Sequence, residues 1–413
     1  MENFDELLKK YADFIVRVGV NPQPGQTLVI NCCLEAAPLA RLCVRSAYEA
    51  GARDVLVNWS DNDVSRSRME LGSEEALSDF KSWQLRRYLD YAESEGGVCV
   101  LHILADDPEV YAGLDGAKIS RVNAGQRKFM APWREYTMND RVQWSIAAMP
   151  SAPWAKKMFP ELDEAAAIEK LWQLIFDVCR VTGGDPVNEW KAHLDRLTTL
   201  GEKMNAFDLE SVHFQSSNGT DLTVGLIPEG QFCGGGETSL QGIFFNPNIP
   251  TEECFTSPMK GQAEGIVYST KPLSYQGQLI ENFSVRFEKG KAVEVKAEKG
   301  EELLKTMIAM DDGASYLGEC ALVPQHSPIA ESGILFYNTL FDENAACHLA
   351  LGMGFADTIK DFQNKTLDEC RTLGINDSMI HEDFMIGCDS MNIDGICEDG
   401  RVVPIFRSGN WAF

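Results

Sequence analysis

His381 and Asp383 stand two residues apart in the stretch HEDFMIG. In extended backbone, positions i and i+2 point to the same face, so one cation or a cation pair can take both side chains. Imidazole and carboxylate are the donors of catalytic zinc or cobalt sites that keep a position for water. An HxD pair is also a common coincidence, so the chemistry follows only if other groups converge on it.

Three other stretches carry such groups. ILFYNTLFDENAACHLALG (334–352) is apolar yet contains Asp342, Glu343 and His348. Asn344–Leu351 reads as a helix ended by Gly352, and a histidine inside it is costly to bury without a partner. Standing alone, that histidine would be satisfied by a carbonyl. LGECALVPQHSPIAESG (317–333) embeds Glu319 in apolar surroundings, where a carboxylate needs a nearby cation. NPNIPTEECFTSP (246–258) holds Glu252 and Glu253 in a loop, where a solvated pair is the ordinary outcome. Together the four stretches offer at least three carboxylates and two imidazoles, enough for two divalent ions with a bridging water or carboxylate.

The remaining motifs carry less. Of the six histidines, His102 sits in an apolar strand and reads as a core residue, and His326, in PQHSP, is at most close to a substrate. Gly234-Gly235-Gly236 lacks the Lys-Ser/Thr of a phosphate loop. It reads equally as a flexible turn or as part of a cavity wall. No GxGxxG follows the first strand, so a dinucleotide site is not expected.

The elements that must position these groups fall into two parts. Apolar residues at helical spacing run through 3–19, and TLVINC (27–32) reads as a buried strand. A helix over 36–52 and strands at DVLVNW (54–59), VCVLHIL (98–104) and VQWSIAAM (142–149) continue the alternation. That pattern predicts a doubly wound α/β domain with a parallel sheet over residues 1–185. An amphipathic helix over 160–181 and the breaker TGGDP close it, and 190–204 reads as a connecting helix. Beyond, Asn218-Gly219 and Lys289-Gly290 sit between alternating runs, which signals hairpins. With a helix over 301–310, residues 186–413 are expected to form an α+β catalytic domain with a mixed or antiparallel sheet.

Bulk properties narrow the partners. A single core stops growing at roughly 250–300 residues, so 413 residues predict two domains. With 37 basic and 62 acidic residues the net charge is −25, which repels nucleic acid and anionic lipid. Met1–Lys10 has no apolar signal core, and no apolar run approaches the ~20 residues of a membrane span. Twelve cysteines without a CxxC pair then point to reduced thiols in a cytoplasm.

The blocks PTEECFTSP, GECALVP, LFYNTLFDENAACHLALG and HEDFMIG with a later IDG resemble the aminopeptidase T / aminopeptidase S family of metallopeptidases. PGQTLVI, PWAKKMFPE and the terminal GNWAF extend the likeness over nearly the whole chain. The resemblance implies that Glu253, Glu319, His348, His381 and Asp383 hold two divalent ions: zinc, cobalt or manganese, with magnesium a further option. It implies that Glu343 accepts the proton of the attacking water. It also implies a peptide substrate cut at its N-terminus and a homodimer. One position departs from the family: Phe355 stands where the pattern HxALGxxY has a tyrosine. A phenol can donate to an oxyanion and a phenyl ring cannot, so a metal-binding relative with weak or no turnover is a rival reading. A non-peptidase metallohydrolase is another.

Overall fold

The computed structural model describes residues 3–275 and 278–413. Met1 and Glu2, at the head of the acidic N-terminal stretch, lie outside the described residues. Two compact units emerge: residues 1–194 with 236–250, and 195–235 with 251–413. The division drawn after residue 185 from sequence thus falls at Leu194, within the helix Pro186–Asn205, and residues 236–250 return to the first unit.

In the first unit, strands Asp54–Ser60, Thr27–Cys33, Val98–Leu104 and Trp144–Ala148 lie in that order, all parallel. Near-continuous apolar runs suit a parallel sheet covered on both faces. Val29, Val98 and Val100 pack with Leu89 and Trp133 in one cluster, while Leu28, Ile30, Cys99 and Leu101 are also fully buried. The helix Phe4–Phe14 sets Tyr11 against Phe176 of the amphipathic helix Glu164–Val178. Burial lowers the pKa of His102 to about 4, leaving its ring neutral, as a core histidine should be.

The second unit contains a nine-stranded sheet whose strand pairings, among the described residues, are antiparallel. Both expected hairpins are present. Leu209–Gln215 pairs with Asp221–Leu226 around Asn218-Gly219. Gln278–Glu288 pairs with Lys291–Lys299, and Lys289 and Gly290 both take positive φ, as a two-residue type I′ turn demands.

A second sheet has four antiparallel strands in the order His381–Met385, His348–Gly352, Leu317–Leu322, Cys254–Thr256. Here the expected helix over 344–351 is corrected. Only Glu343–Ala345 makes a short 3-10 turn, and His348–Gly352 is a strand buried throughout. HLALG alternates with period two, but both faces read as apolar because the face bearing His348 is otherwise occupied by Ala350 and Gly352. Such short apolar runs are those in which helix and strand cannot be told apart by periodicity.

Candidate metal centre

The register of the four-stranded sheet decides which side chains meet. Residues directly opposite in an antiparallel pair share a face. One row runs Phe255, Ala321, His348, Met385; the next runs Glu319, Ala350, Asp383, with Gly352 opposite His381. Cys254, Cys320, Leu322, Leu349, Leu351 and Phe384 alternate with these and join the hydrophobic core. One face of the sheet therefore anchors the strands, and the other carries the polar groups. Ala321 and Ala350 keep that second face low between its acidic and imidazole side chains.

Four of the expected ligands sit on these strands, and Glu253 directly precedes the strand Cys254–Thr256. His348 Nε2 lies 3.3 Å from Glu253 Oε2 and 3.9 Å from Glu319 Oε1. His381 Nε2 lies 3.1 Å from Glu319 Oε2 and 3.4 Å from Asp383 Oδ1. The five residues thus form two candidate ligand groups, Glu253–Glu319–His348 and Glu319–His381–Asp383, each with donor atoms within 4.8 Å of one another and so able to hold a metal ion. Glu319 belongs to both and turns one oxygen to each imidazole.

Both imidazoles are oriented from behind. His348 Nδ1 is 3.1 Å from the Ala346 carbonyl, and His381 Nδ1 is 2.7 Å from the Met353 carbonyl. A carbonyl accepts only from N–H, so the proton stays on Nδ1 and Nε2 is left to bind a cation. Gly318 makes the second contact feasible. A Cβ there would lie 2.2 Å from the Met353 oxygen and 2.4 Å from the Gly352 oxygen.

The electrostatics describe a cluster that needs positive charge. Glu253, Glu319, His348 and Asp383 are each less than a tenth exposed. Burial is the largest single influence on each shifted group of this cluster. It pushes Glu319 up to about 7 against the pull of His381. Burial works against charge on His348, yet Glu253, Asp383 and Glu319 together raise it to about 10. His381 is raised for the same reason by Asp383 and Glu319, whereas the two imidazoles hold Asp383 below its ordinary value in spite of burial. A proton and a divalent cation thus compete for the same Nε2 atoms. Oxygen and imidazole donors, tautomers fixed for ligation and a low cradle between them fit divalent ions.

Glu343 opens the 3-10 turn and belongs to neither ligand group. Its pKa is raised well above the ordinary value by burial and then by the charges of Asp383 and Glu253, so it lies within their field. Asp342 instead shapes the preceding loop, accepting the N–H of Phe336 at 2.7 Å and of Asn338 at 3.0 Å. His326 is exposed and faces Glu331, and it joins neither group. Of the glycine run, Gly234 lies close to the ligand loop: a Cβ there would be 3.1 Å from the Glu253 carbonyl.

Sequence reasoning passed over Asn344, which is fully buried. Its Oδ1 accepts the Glu252 N–H at 2.6 Å and its Nδ2 donates to the Leu340 carbonyl at 3.0 Å, tying the Glu253 loop to the turn bearing Glu343. An asparagine at the start of an expected helix gives no signal of such a partner 92 residues away. Phe255 was passed over too, because its place in the cross-strand row of Ala321 and His348 comes only from strand register.

Comparison with known proteins places the whole chain in one family. The Peptidase_M29 family model, described as thermophilic metalloprotease (M29), matches residues 4–411. Aminopeptidase AmpS of Bacillus subtilis (strain 168) is 42% identical over 413 residues, all of both chains. Aminopeptidase 2 of Geobacillus stearothermophilus is 43% identical over 413 residues, covering 100% of this chain and 99% of that one. The solved structure of wild-type AmpT from Thermus thermophilus superposes with a TM-score of 0.90 at 36% identity, covering 99% of this chain and 100% of its own. A buried carboxylate–imidazole cluster and a family match spanning almost every residue lead to one conclusion: the chain belongs to the M29 family of metalloproteases.

Proposed function

We propose that this protein is a metal-dependent aminopeptidase that removes N-terminal residues from short peptides, with two ions per chain. The observation that carries this reading is Glu319, whose two oxygens face different imidazoles in two ligand groups. Ions held by Glu253, Glu319, His348, His381 and Asp383 would supply Lewis acidity to the scissile carbonyl and to a water. Glu343 takes the proton of that water and returns it to the leaving amine. Its raised pKa stems in part from neighbouring carboxylate charge, so neutralising that charge brings Glu343 down toward the range of a base. The acidic surroundings also suit the free α-ammonium group that distinguishes a peptide's N-terminus.

The donor set accepts zinc, cobalt or manganese, and magnesium is a further option. Twelve free cysteines support a reducing, cytoplasmic setting. Among the described residues no helix is long and apolar enough to cross a membrane. A homodimer is the assembly we assign, in keeping with the family resemblance.

The test is hydrolysis of aminoacyl-arylamides against N-acylated arylamides and esters by metal-reconstituted protein. Cleavage restricted to substrates with a free α-amine is expected, and His348→Ala and Asp383→Ala should lose both metal and turnover. Equal cleavage of blocked substrates would point to a broader metallohydrolase. Bound metal without turnover would point to a silent relative.

A further inference from the structure

Glu253 and Glu343 lie on separate segments, yet one amide side chain joins them. Asn344 is fully buried, and both ends of its amide are engaged. Its Oδ1 accepts the N–H of Glu252, the residue before the expected ligand Glu253, at 2.6 Å. Its Nδ2 donates to the Leu340 carbonyl at 3.0 Å, closing the turn that leads to Glu343, and lies 3.5 Å from Glu343 Oε1. Its main-chain carbonyl accepts from Ser327 Oγ at 2.9 Å, and that serine also receives the N–H of Ala330 at the start of the helix Pro328–Ser332. A buried amide is costly unless its donor and acceptor are both used, and here they are used on two different segments. Aspartate of the same shape only accepts, and leucine does neither. Because the amide group is planar, the Glu252 N–H and the turn bearing Glu343 are held at a fixed separation.

We propose that Asn344 is a positioning residue for the reaction: it fixes the Glu343 carboxylate relative to the Glu253–Glu319–His348 group. This rests on the aminopeptidase reading, in which Glu343 takes the proton of the attacking water. Proton transfer needs Glu343 within hydrogen-bond reach of that water, and a misplacement of about 1 Å costs roughly a hundredfold in rate. Glu343 opens a 3-10 turn of only three residues, which holds a side chain loosely, and the amide of the next residue supplies the tie. The two arms of that amide act on different quantities. The Oδ1 arm holds the Glu253 loop and governs ion affinity. The Nδ2 arm holds the Glu343 turn and governs kcat.

The test measures kcat and KM on an aminoacyl-arylamide, metal content, metal affinity and melting temperature in wild type, Asn344→Asp and Asn344→Ala. All are loaded with the same ion, zinc or cobalt, whichever gives wild type the higher turnover. Asn344→Asp keeps the acceptor and the shape but loses the donor. It should hold wild-type metal content, with kcat down about tenfold or more and KM little changed. Asn344→Ala loses both arms, so metal affinity, read by chelator competition, should fall about tenfold as well. Wild-type kcat in a folded, metal-loaded Asn344→Asp protein would leave the amide a purely structural role and overturn the proposal. Unchanged metal affinity in Asn344→Ala would overturn it too. Absence of turnover in wild type with every aminoacyl-arylamide would overturn the aminopeptidase reading and this proposal together. Should neither variant fold, Ser327→Ala, which releases the Asn344 carbonyl, takes their place. A kcat about threefold or more below wild type at full metal content is then expected, and a wild-type kcat would overturn the proposal.

Discussion

The rings of Phe355 and His381 lie 4.7 Å apart, tilted by 53°. His381 is thereby held on one side by a phenyl ring and through Nδ1 by the Met353 carbonyl at 2.7 Å. Groups that orient a metal-binding histidine typically change metal affinity 10- to 100-fold when removed. Phe355→Ala should therefore weaken metal binding by about tenfold, and Phe355→Tyr, which keeps the ring, should restore it. Competition with a chelating dye measures this. Equal affinity in all three proteins would show that the contact does not position His381.

The same carbonyl depends on a glycine. A Cβ at Gly318 would meet the Met353 oxygen at 2.2 Å, so Gly318→Ala has to displace the acceptor of His381 or the strand bearing Glu319. We expect a folded protein of lowered melting temperature that binds less metal at the Glu319–His381–Asp383 group. Metal analysis after gel filtration checks this, and full occupancy would contradict it.

Ala350 lies between Glu319 and Asp383 in one cross-strand row. Replacing it with leucine should fill the cradle with a branched side chain while keeping the strand apolar. Ion content per chain should drop with little change in far-ultraviolet circular dichroism. A variant with wild-type metal content would mean that the face has room to spare.

These small residues also explain what the sequence withheld. The parallel sheet of the first unit was legible because its strands are short, largely apolar runs between helical patterns. Both hairpins were legible because Asn218-Gly219 and Lys289-Gly290 are turn pairs. His381 and Asp383 were legible as an extended i, i+2 pair, and they do share a face. The strand bearing His348 was not, because Ala350 and Gly352 hide the alternation that distinguishes its two faces. Asn344 and Phe255 were illegible for another reason. Their partners are set by strand register and loop closure across long stretches of chain, which local pattern does not encode.

Acidity should govern the metal-free protein in a definite direction. His348 is raised to about 10 and Glu319 to about 7, both above their values in an unfolded chain. Each therefore contributes stability that is complete at low pH and fades as pH rises: Glu319 from about 4.5 to about 7, and His348 from about 6.5 to about 10. Ligation needs the same atoms deprotonated, so metal binding strengthens over that window. The difference in melting temperature between metal-loaded and chelator-treated protein should widen from about pH 6 to about pH 9. A difference that stays constant or narrows would contradict this electrostatic picture.

The central claim is that Glu319 joins two ion sites. Anomalous diffraction from metal-soaked crystals of the wild type and of Glu319→Ala tests it most directly. The wild type should show two peaks per chain, one beside His348 and one beside His381, with the Glu319 carboxylate between them, and Glu319→Ala should lose at least one. A single peak in the wild type, or two peaks that persist at full occupancy without Glu319, would contradict it.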